Sequence, residues 1–420
     1  MKNRHVRLAA AILLLMAAFP LASAQGLARN LIIIVVDGMG PAHRQLGELA
    51  VKGGLSMNRM SHLGMMDTSS YGSDITDSAA AATAMFTGKR TYNTAIGYDH
   101  DLNKLESVMD IASKAGFSCG IATNSELYDA TSAAMYANSL TRAEYRNIAK
   151  QLMSSGLELA IGGGTRYVDP LIQQSMLSAD SKPRFNAYYD LKSLASGGLP
   201  AICLLDDAYL QMEIDAGSDA AAFVDIISAA LDKLSGKGRP FILLAETGSV
   251  DGASHDNDAA AALKGVIAAD MGVAKALEFA RKDGDTLVLV VSDHETGGLS
   301  LGANQGYRID VPFLARVKSS SMKMAWLAED KPASLVSIVK ASTGYEMSEE
   351  EAESIRSSSD WARSIGALIS RKANIAWGSG GHTASNVLVT AEGPGSSIFA
   401  GRYDNSELFA KMLEALGIRQ

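Results

Sequence analysis

The stretch LIIIVVDGMG, residues 31–40, decides the fold. Six consecutive apolar residues, four of them Ile or Val before the final Val36, run directly into an aspartate and a glycine turn. A continuous run this short fits a strand buried on both faces. Four further runs repeat the theme: FSCGIAT at 117–123, LELAIGG at 157–163, PFILLA at 240–245 and TLVLVV at 286–291. Between them lie helical patterns, among them ESVMDIASKAG at 106–116 and a long stretch at 256–284 that closes in a basic turn and Gly284. The alternation predicts an α/β fold, a three-layer sandwich with a central, mainly parallel β-sheet flanked by helices.

Three of these runs end in acid, at Asp37, at Glu246 and at Asp293 followed by His294. Aspartate also ends strands as a turn former, so a single case says little. In an open parallel sheet, however, ligands bind beyond the carboxyl ends of the strands, and three such ends would bring their carboxylates to one edge.

Residues 1–24 have a basic start (Lys2, Arg4, Arg7), an apolar run from Leu8 to about Phe19 and Ala22-Ser23-Ala24 before Gln25. That layout predicts a cleavable signal peptide and an exported, periplasmic or secreted protein. No later stretch reaches the roughly 20 apolar residues of a membrane-spanning helix, so no membrane association is expected after cleavage. Loss of three basic residues takes the formal charge from −8 to −11. With no basic block, nucleic acid is not expected as a dedicated partner. The remaining 25–420 segment is read as a single catalytic domain with a helical insertion at about 320–372, which carries a capping box at Ser348–Glu351. Its EMSEEEAESIR stretch reads as a solvated helix face. Cys119 and Cys203, the only cysteines, sit in apolar segments and are expected to be buried free thiols.

Three of the seven histidines stand in chemically loaded settings. ETGSVDGASH (246–255) places Asp251 and His255 four apart, so that a helix would set them side by side. SDHETGG supplies the Asp293-His294 pair, and WGSGGHTASN holds His382 in a glycine-rich loop. A lone D-x-x-x-H is usually an ordinary surface pair. Converging carboxylates, by contrast, repel one another at a dry edge and must protonate or find cations, and mixed nitrogen and oxygen donors suit zinc. His43, His62 and His100 have no such context and read as surface or hydrogen-bonded residues. Ser78, directly after Asp77 and before an alanine-rich run, reads as either a helix cap or a nucleophile.

The order of VVDGMG (35–40), TDSAAAATAMFTG (76–88), YDATSAA (128–134), ETGSVDGASH, SDHETGG and GGHTA (380–384) resembles the alkaline phosphatase family along nearly the whole chain. The resemblance implies hydrolysis of small-molecule phosphate monoesters through a phosphoserine on Ser78, with Arg142 gripping the phosphate. It implies two Zn2+ ions, one on Asp251, His255 and His382 and the other on Asp37, Asp293 and His294. It implies one Mg2+ held by Asp37, Thr131 and Glu246, with Asp129 assisting through water. Three divalent ions would outweigh the five carboxylates and draw an anion to an acidic protein. No Gly-x-Ser-x-Gly elbow surrounds Ser78 and the histidines are wanted as ligands, so a metal rather than a base is expected to activate it.

Departures from the family pattern are Gly252, where many members carry a larger side chain near the phosphate, Asp129, where some have histidine, and Ser132, where proline is common. Asp129 favours magnesium at the third site, and Ser132 is expected to matter little. A homodimer is an expectation of the resemblance, and a monomer is the alternative for a chain short for the family. The competing readings are a phosphodiesterase or sulfatase-like hydrolase on the same scaffold, and a non-catalytic phosphate- or metal-binding protein.

Overall fold

The computed structural model describes residues 27–177, 184–218, 221–303 and 306–419. The signal peptide expected at 1–24 lies outside them. Ten strands form one sheet: β1 (Asn30–Val36), β2 (His62–Asp67), β3 (Ser118–Glu126), β4 (Leu159–Gly163), β5 (Asn186–Tyr188), β6 (Ala201–Leu204), β7 (Phe241–Thr247), β8 (Thr286–Val291), β13 (Val387–Glu392) and β14 (Gly401–Asp404). Two small ribbons pair β9 (Glu295–Thr296) with β12 (His382–Thr383) and β10 (Leu299–Leu301) with β11 (Ile375–Trp377). The sheet order is β14-β2-β13-β8-β1-β7-β3-β4-β6-β5, parallel throughout except where β13 lies antiparallel between β2 and β8.

The continuous apolar runs follow from burial on both sides. Along β1, Leu31, Ile33 and Val35 enter one core with Phe86 and Leu408, while Ile32, Ile34 and Val36 enter the other with Phe223 and Val273. Each side chain is fully buried, so truncation of any one to alanine costs about 2–5 kcal/mol. All five apolar runs are strands of this sheet. The edge strands β5 and β14, and β2 next to β14, gave no comparable signal, because they are short or alternate between buried and exposed positions.

The long helical pattern is the helix Ala259–Asp283, capped by Asp258 through the Ala260 and Ala261 amides and ended by Gly284 at φ +83°. A third core lies beyond its first turn. Helices Val311–Arg316, Ser321–Glu329, Leu335–Thr343, Glu349–Arg356 and Trp361–Lys372 enclose Leu335, Val339, Ile365 and Ile369 against Leu263. Ser348 and Glu351 form the capping box, and Glu349, Glu350 and Glu353 face solvent. Cys119 and Cys203 are both buried and free. They lie in cores on opposite sides of the sheet. Among the described residues no helix is long and apolar enough to cross a membrane.

Candidate active and metal site

Strands β8, β1, β7 and β3 are neighbours in the middle of the sheet, so the acids at their ends meet. Val35 pairs with Glu246 on one side and Val291 on the other, and Glu246 pairs with Thr123 of β3. Asp37 and Asp293 each lie just beyond that level. The turn after Asp37 needs Gly38: its φ is +73°, and a Cβ there would lie 2.7 Å from the Asp251 Cα. This close approach seats helix Ser249–His255 on the strand ends, with Asp251 and His255 one turn apart on it.

The three candidate histidines are held by their Nδ1 atoms. His255 Nδ1–H donates to the Gly380 carbonyl at 2.8 Å, and His382 Nδ1–H to the Thr76 carbonyl at 2.8 Å. The Thr296 hydroxyl donates to Asp251 Oδ1, which leaves its oxygen to accept from His294 Nδ1–H at 3.2 Å. These bonds assign the tautomers and turn all three Nε2 atoms inward. His255 Nε2 then lies 3.2 Å from Asp251 Oδ2, and His382 Nε2 lies 3.6 Å from Asp251 Oδ1. His294 Nε2 lies 3.2 Å from Asp293 Oδ2 and 3.5 Å from Asp37 Oδ1.

Two donor groups each converge to within 4.8 Å: Asp37, Asp293 and His294 in one, and Asp251, His294 and His382 in the other. The first is the trio expected from sequence. In the second, His294 stands where His255 was expected, because the His294 and His382 rings stack at 3.6 Å while His255 and His382 are 5.2 Å apart. His255 still touches Asp251, so the expected residues are adjacent but not equally gathered.

Ser78 is the first residue of helix Ser78–Thr87, whose ten residues are all buried. Asp77 is the cap, accepting from the Ala80 amide at 3.0 Å with one oxygen and from the Thr94 amide at 3.0 Å with the other. Ser78 is thereby free of capping, and its Oγ lies 3.2 Å from His294 Nε2. Arg142 reaches over the same helix start, donating to Asp129 at 2.9 Å with its Nη1 3.6 Å from Asp77. Arg90 is engaged elsewhere, between Asp67 and Asp404.

Glu246 is completely buried, and its Oε2 accepts from Thr123 at 2.8 Å and Ser132 at 2.9 Å. Ser132, expected to matter little, therefore orients a candidate ligand, a role proline could not fill. Asp77, beside Ser78 in the sequence, is the cap that adjacency suggested, whereas Thr123, Ser132 and Thr296 escaped the sequence reading as supporting groups, since a lone hydroxyl carries no distinguishing pattern. His43 is buried and accepts from the Gly40 amide at Nδ1 while donating from Nε2 to Ser254, bracing the Asp251 helix from behind.

Four oxygens at this edge are buried without a hydrogen-bond partner: Asp37 Oδ1, Thr131 Oγ1, Glu246 Oε1 and Asp293 Oδ2. Burial, and then the carboxylates of Asp293, Asp251 and Glu246, push Asp37 well above the usual carboxylate range. Burial, with Asp129 next, raises Glu246 to about 7 against the bonds from Thr123 and Ser132. Asp251 is depressed despite its burial, through His255, His294 and His382, and its hydrogen bond in turn pushes His255 up to about 9. Positive charge at the same spot relieves the upward shifts of Asp37, Glu246 and His255 and acts in the same direction as the histidines that depress Asp251. Oxygen and imidazole donors with bare lone pairs facing each other fit divalent cations. A cavity of about 420 Å³ opens over Ser78, Asp37, Arg142, Asp251 and His382.

Cation-ready donors gathered around a serine at a helix N-terminus suit metal-assisted chemistry on an anionic substrate. The alkaline phosphatase family model matches residues 28–183 and 188–418. Alkaline phosphatase 4 of Bacillus subtilis is 30% identical over 90% of this chain and 87% of its own length. The crystal structure of a cold-active alkaline phosphatase from a psychrophilic Shewanella superposes with a TM-score of 0.83 at 29% identity, covering 92% of this chain and 99% of that one. A histidine-to-aspartate variant of the TAB5 alkaline phosphatase, described with Mg bound in its M3 site, has a TM-score of 0.70 at 28% identity over 94% of this chain and all of its own. The chain belongs to the alkaline phosphatase family. It is an enzyme of that metal-dependent class, a phosphoric monoester hydrolase.

Proposed function

We propose that the protein hydrolyses phosphate monoesters through a phosphoserine on Ser78. The observation that carries this reading is the uncapped Ser78 hydroxyl, 3.2 Å from His294 and flanked by Arg142 and by acid oxygens lacking partners. Asp251, His255 and His382 would hold one Zn2+, and Asp37, Asp293 and His294 the other. Asp37, Thr131 and Glu246 would hold Mg2+, with Asp129 nearby. The hard oxygen donors of the third set suit magnesium, and magnesium in the aspartate variant of the TAB5 enzyme supports it. When bound, these cations supply charge stabilisation for the attacking and leaving oxygens.

The chain's own residues do the rest. Arg142, partly freed from Asp129 by the incoming anion, takes two phosphoryl oxygens through its planar fork. Ser78 Oγ loses its proton and bonds phosphorus as the ester P–O bond breaks, and the alcohol leaves carrying a proton. The amides at the start of helix Ser78–Thr87 face the phosphoryl group, where the helix dipole favours negative charge. Water then attacks phosphorus from the vacated side, restoring Ser78 and releasing phosphate. We also read the chain as exported and 25–420 as one catalytic domain.

Acid-quenched turnover followed by peptide mass spectrometry should find phosphate on Ser78, and Ser78→Ala should fold normally while losing activity by about 10²-fold or more. Unchanged turnover in that variant would exclude the covalent route. A rate on bis-nitrophenyl phosphate or nitrophenyl sulfate exceeding that on nitrophenyl phosphate would favour the diesterase or sulfatase reading instead.

A further inference from the structure

The cavity over Ser78 has two unlike sides. Polar and charged groups, Ser78 among them, make up one part of its lining, and Tyr209, Leu210, Met212 and Met322 supply the larger side chains of the rest. This wall comes from two segments outside the sheet, the loop after β6 and the start of helix Ser321–Glu329. The two are fastened together. Asp215 and Ala216 amides both donate to the Met212 carbonyl, at 2.8 and 2.9 Å, and Asp215 accepts from the Ser320 amide at 2.9 Å and from its hydroxyl. Ser321 N–H donates to Asp258 at 2.7 Å, and Leu210 N–H to the Asn124 carbonyl at 2.8 Å, which ties the wall back to the Ala259–Asp283 helix and to β3.

Gly252 completes the picture. A Cβ added there would meet a single atom within 4 Å, Met212 Cε at 2.9 Å. The Met212 methyl thus fills the space beside Asp251 that a side chain at 252 would take. Methionine is unbranched and polarisable, and it adapts to irregular apolar groups and contacts aromatic rings favourably.

We infer that this methionine wall is the subsite for the alcohol portion of the substrate, and that it favours phosphate monoesters of aromatic or apolar alcohols over those of small polar ones. The inference rests on the phosphatase reading above. In-line displacement by Ser78 sends the leaving oxygen away from the serine, toward the cavity's far side. There Tyr209, Met212 and Met322 can cover a ring, while Asp256 and Glu126, which also line the cavity, disfavour leaving groups bearing further negative charge.

The test is direct calorimetric binding of phenylphosphonate and methylphosphonate to the metal-loaded enzyme, two dianions that differ in the ring and need no turnover. Phenylphosphonate should bind about tenfold more tightly, the advantage a hydrophobic pocket gives one added apolar group. In Met212→Ala/Met322→Ala the ratio should fall to within about twofold, and Met212→Leu should keep most of it. Both methionines are only partly buried, so the variants should fold, which thermal melting checks. Equal binding of the two phosphonates to the natural enzyme, or a preference that survives the double variant, overturns the inference while leaving the phosphatase reading intact. Phosphonate binding with the expected ratio but no hydrolysis of any phosphate ester would instead sink the phosphatase reading and keep the apolar wall.

Discussion

Thr296 donates its hydroxyl to Asp251, and with the same oxygen accepts from His294. One side chain thereby orients members of both candidate zinc sets. Thr296→Val keeps the shape and removes both bonds. Zinc affinity, measured by competition with a chelator, should fall about 10–100-fold, with Thr296→Ser recovering most of it. Unaltered zinc binding would mean that the hydroxyl orients nothing of consequence.

Asp77 frees Ser78 by taking the capping role itself. Asp77→Ala should cost about 1 kcal/mol of stability in urea unfolding. Asp77→Asn keeps an acceptor for the Ala80 amide but removes the charge facing Arg142. It should recover most of the stability while shifting KM, and equal effects of the two variants on both quantities would contradict separate roles.

Ser132 and Thr123 together hold Glu246 Oε2, leaving Oε1 without a partner. Ser132→Ala should weaken magnesium binding, read by calorimetry, about tenfold or more. Zinc content should stay the same, because none of the Asp251, His255 and His382 set touches Ser132.

Acid–base linkage gives a test that needs no activity. Glu246 moves from its usual 4.5 to about 7 on folding, and Asp37 shifts the same way, so the folded protein binds more protons than the unfolded chain in that window. Their favourable contribution is present below about pH 4.5 and is lost as pH rises through about 7. For Glu246 alone the loss is on the order of 3 kcal/mol. His255, raised to about 9, acts in the same direction at higher pH, whereas burial lowers His43 to about 3 and also lowers His294, which offsets part of the loss below about pH 6.5. In chelator, the melting temperature should therefore drop between pH 5 and 8. Added zinc and magnesium should stabilise the protein more at pH 8 than at pH 5, because they compete with those protons. A metal effect independent of pH would argue against ligation by these groups.

The central strands were legible because burial on both faces writes itself as an unbroken apolar run, as in Leu31–Val36. Asp37, Glu246 and Asp293 were legible as strand-end acids, and Asp251 and His255 as a helical pair. The strands at the β14 end of the sheet were not, since β2 buries only alternate positions and four-residue β14 buries only Tyr403. The supporting hydroxyls of Thr123, Ser132 and Thr296 act through contacts with residues distant in sequence, which local pattern does not encode. The stacking of His294 on His382 depends on the β9–β12 ribbon and was equally hidden.

The place of β1 also dictates when the molecule can form. The first strand of the sheet is its centre, and its partners arrive late: Leu31 pairs with Ile242 and Leu287. During synthesis at about 5–20 residues per second, β1 waits roughly 10 s or more for its first neighbour. His382 emerges later still, and β13, which flanks β8, follows it. A nascent chain therefore carries its most apolar segment unpaired for roughly half of its elongation, and a product truncated before residue 382 lacks both a complete sheet and a complete donor set. Assembly is concentrated at the end of translation, where chaperone protection of the Leu31–Val36 segment matters most.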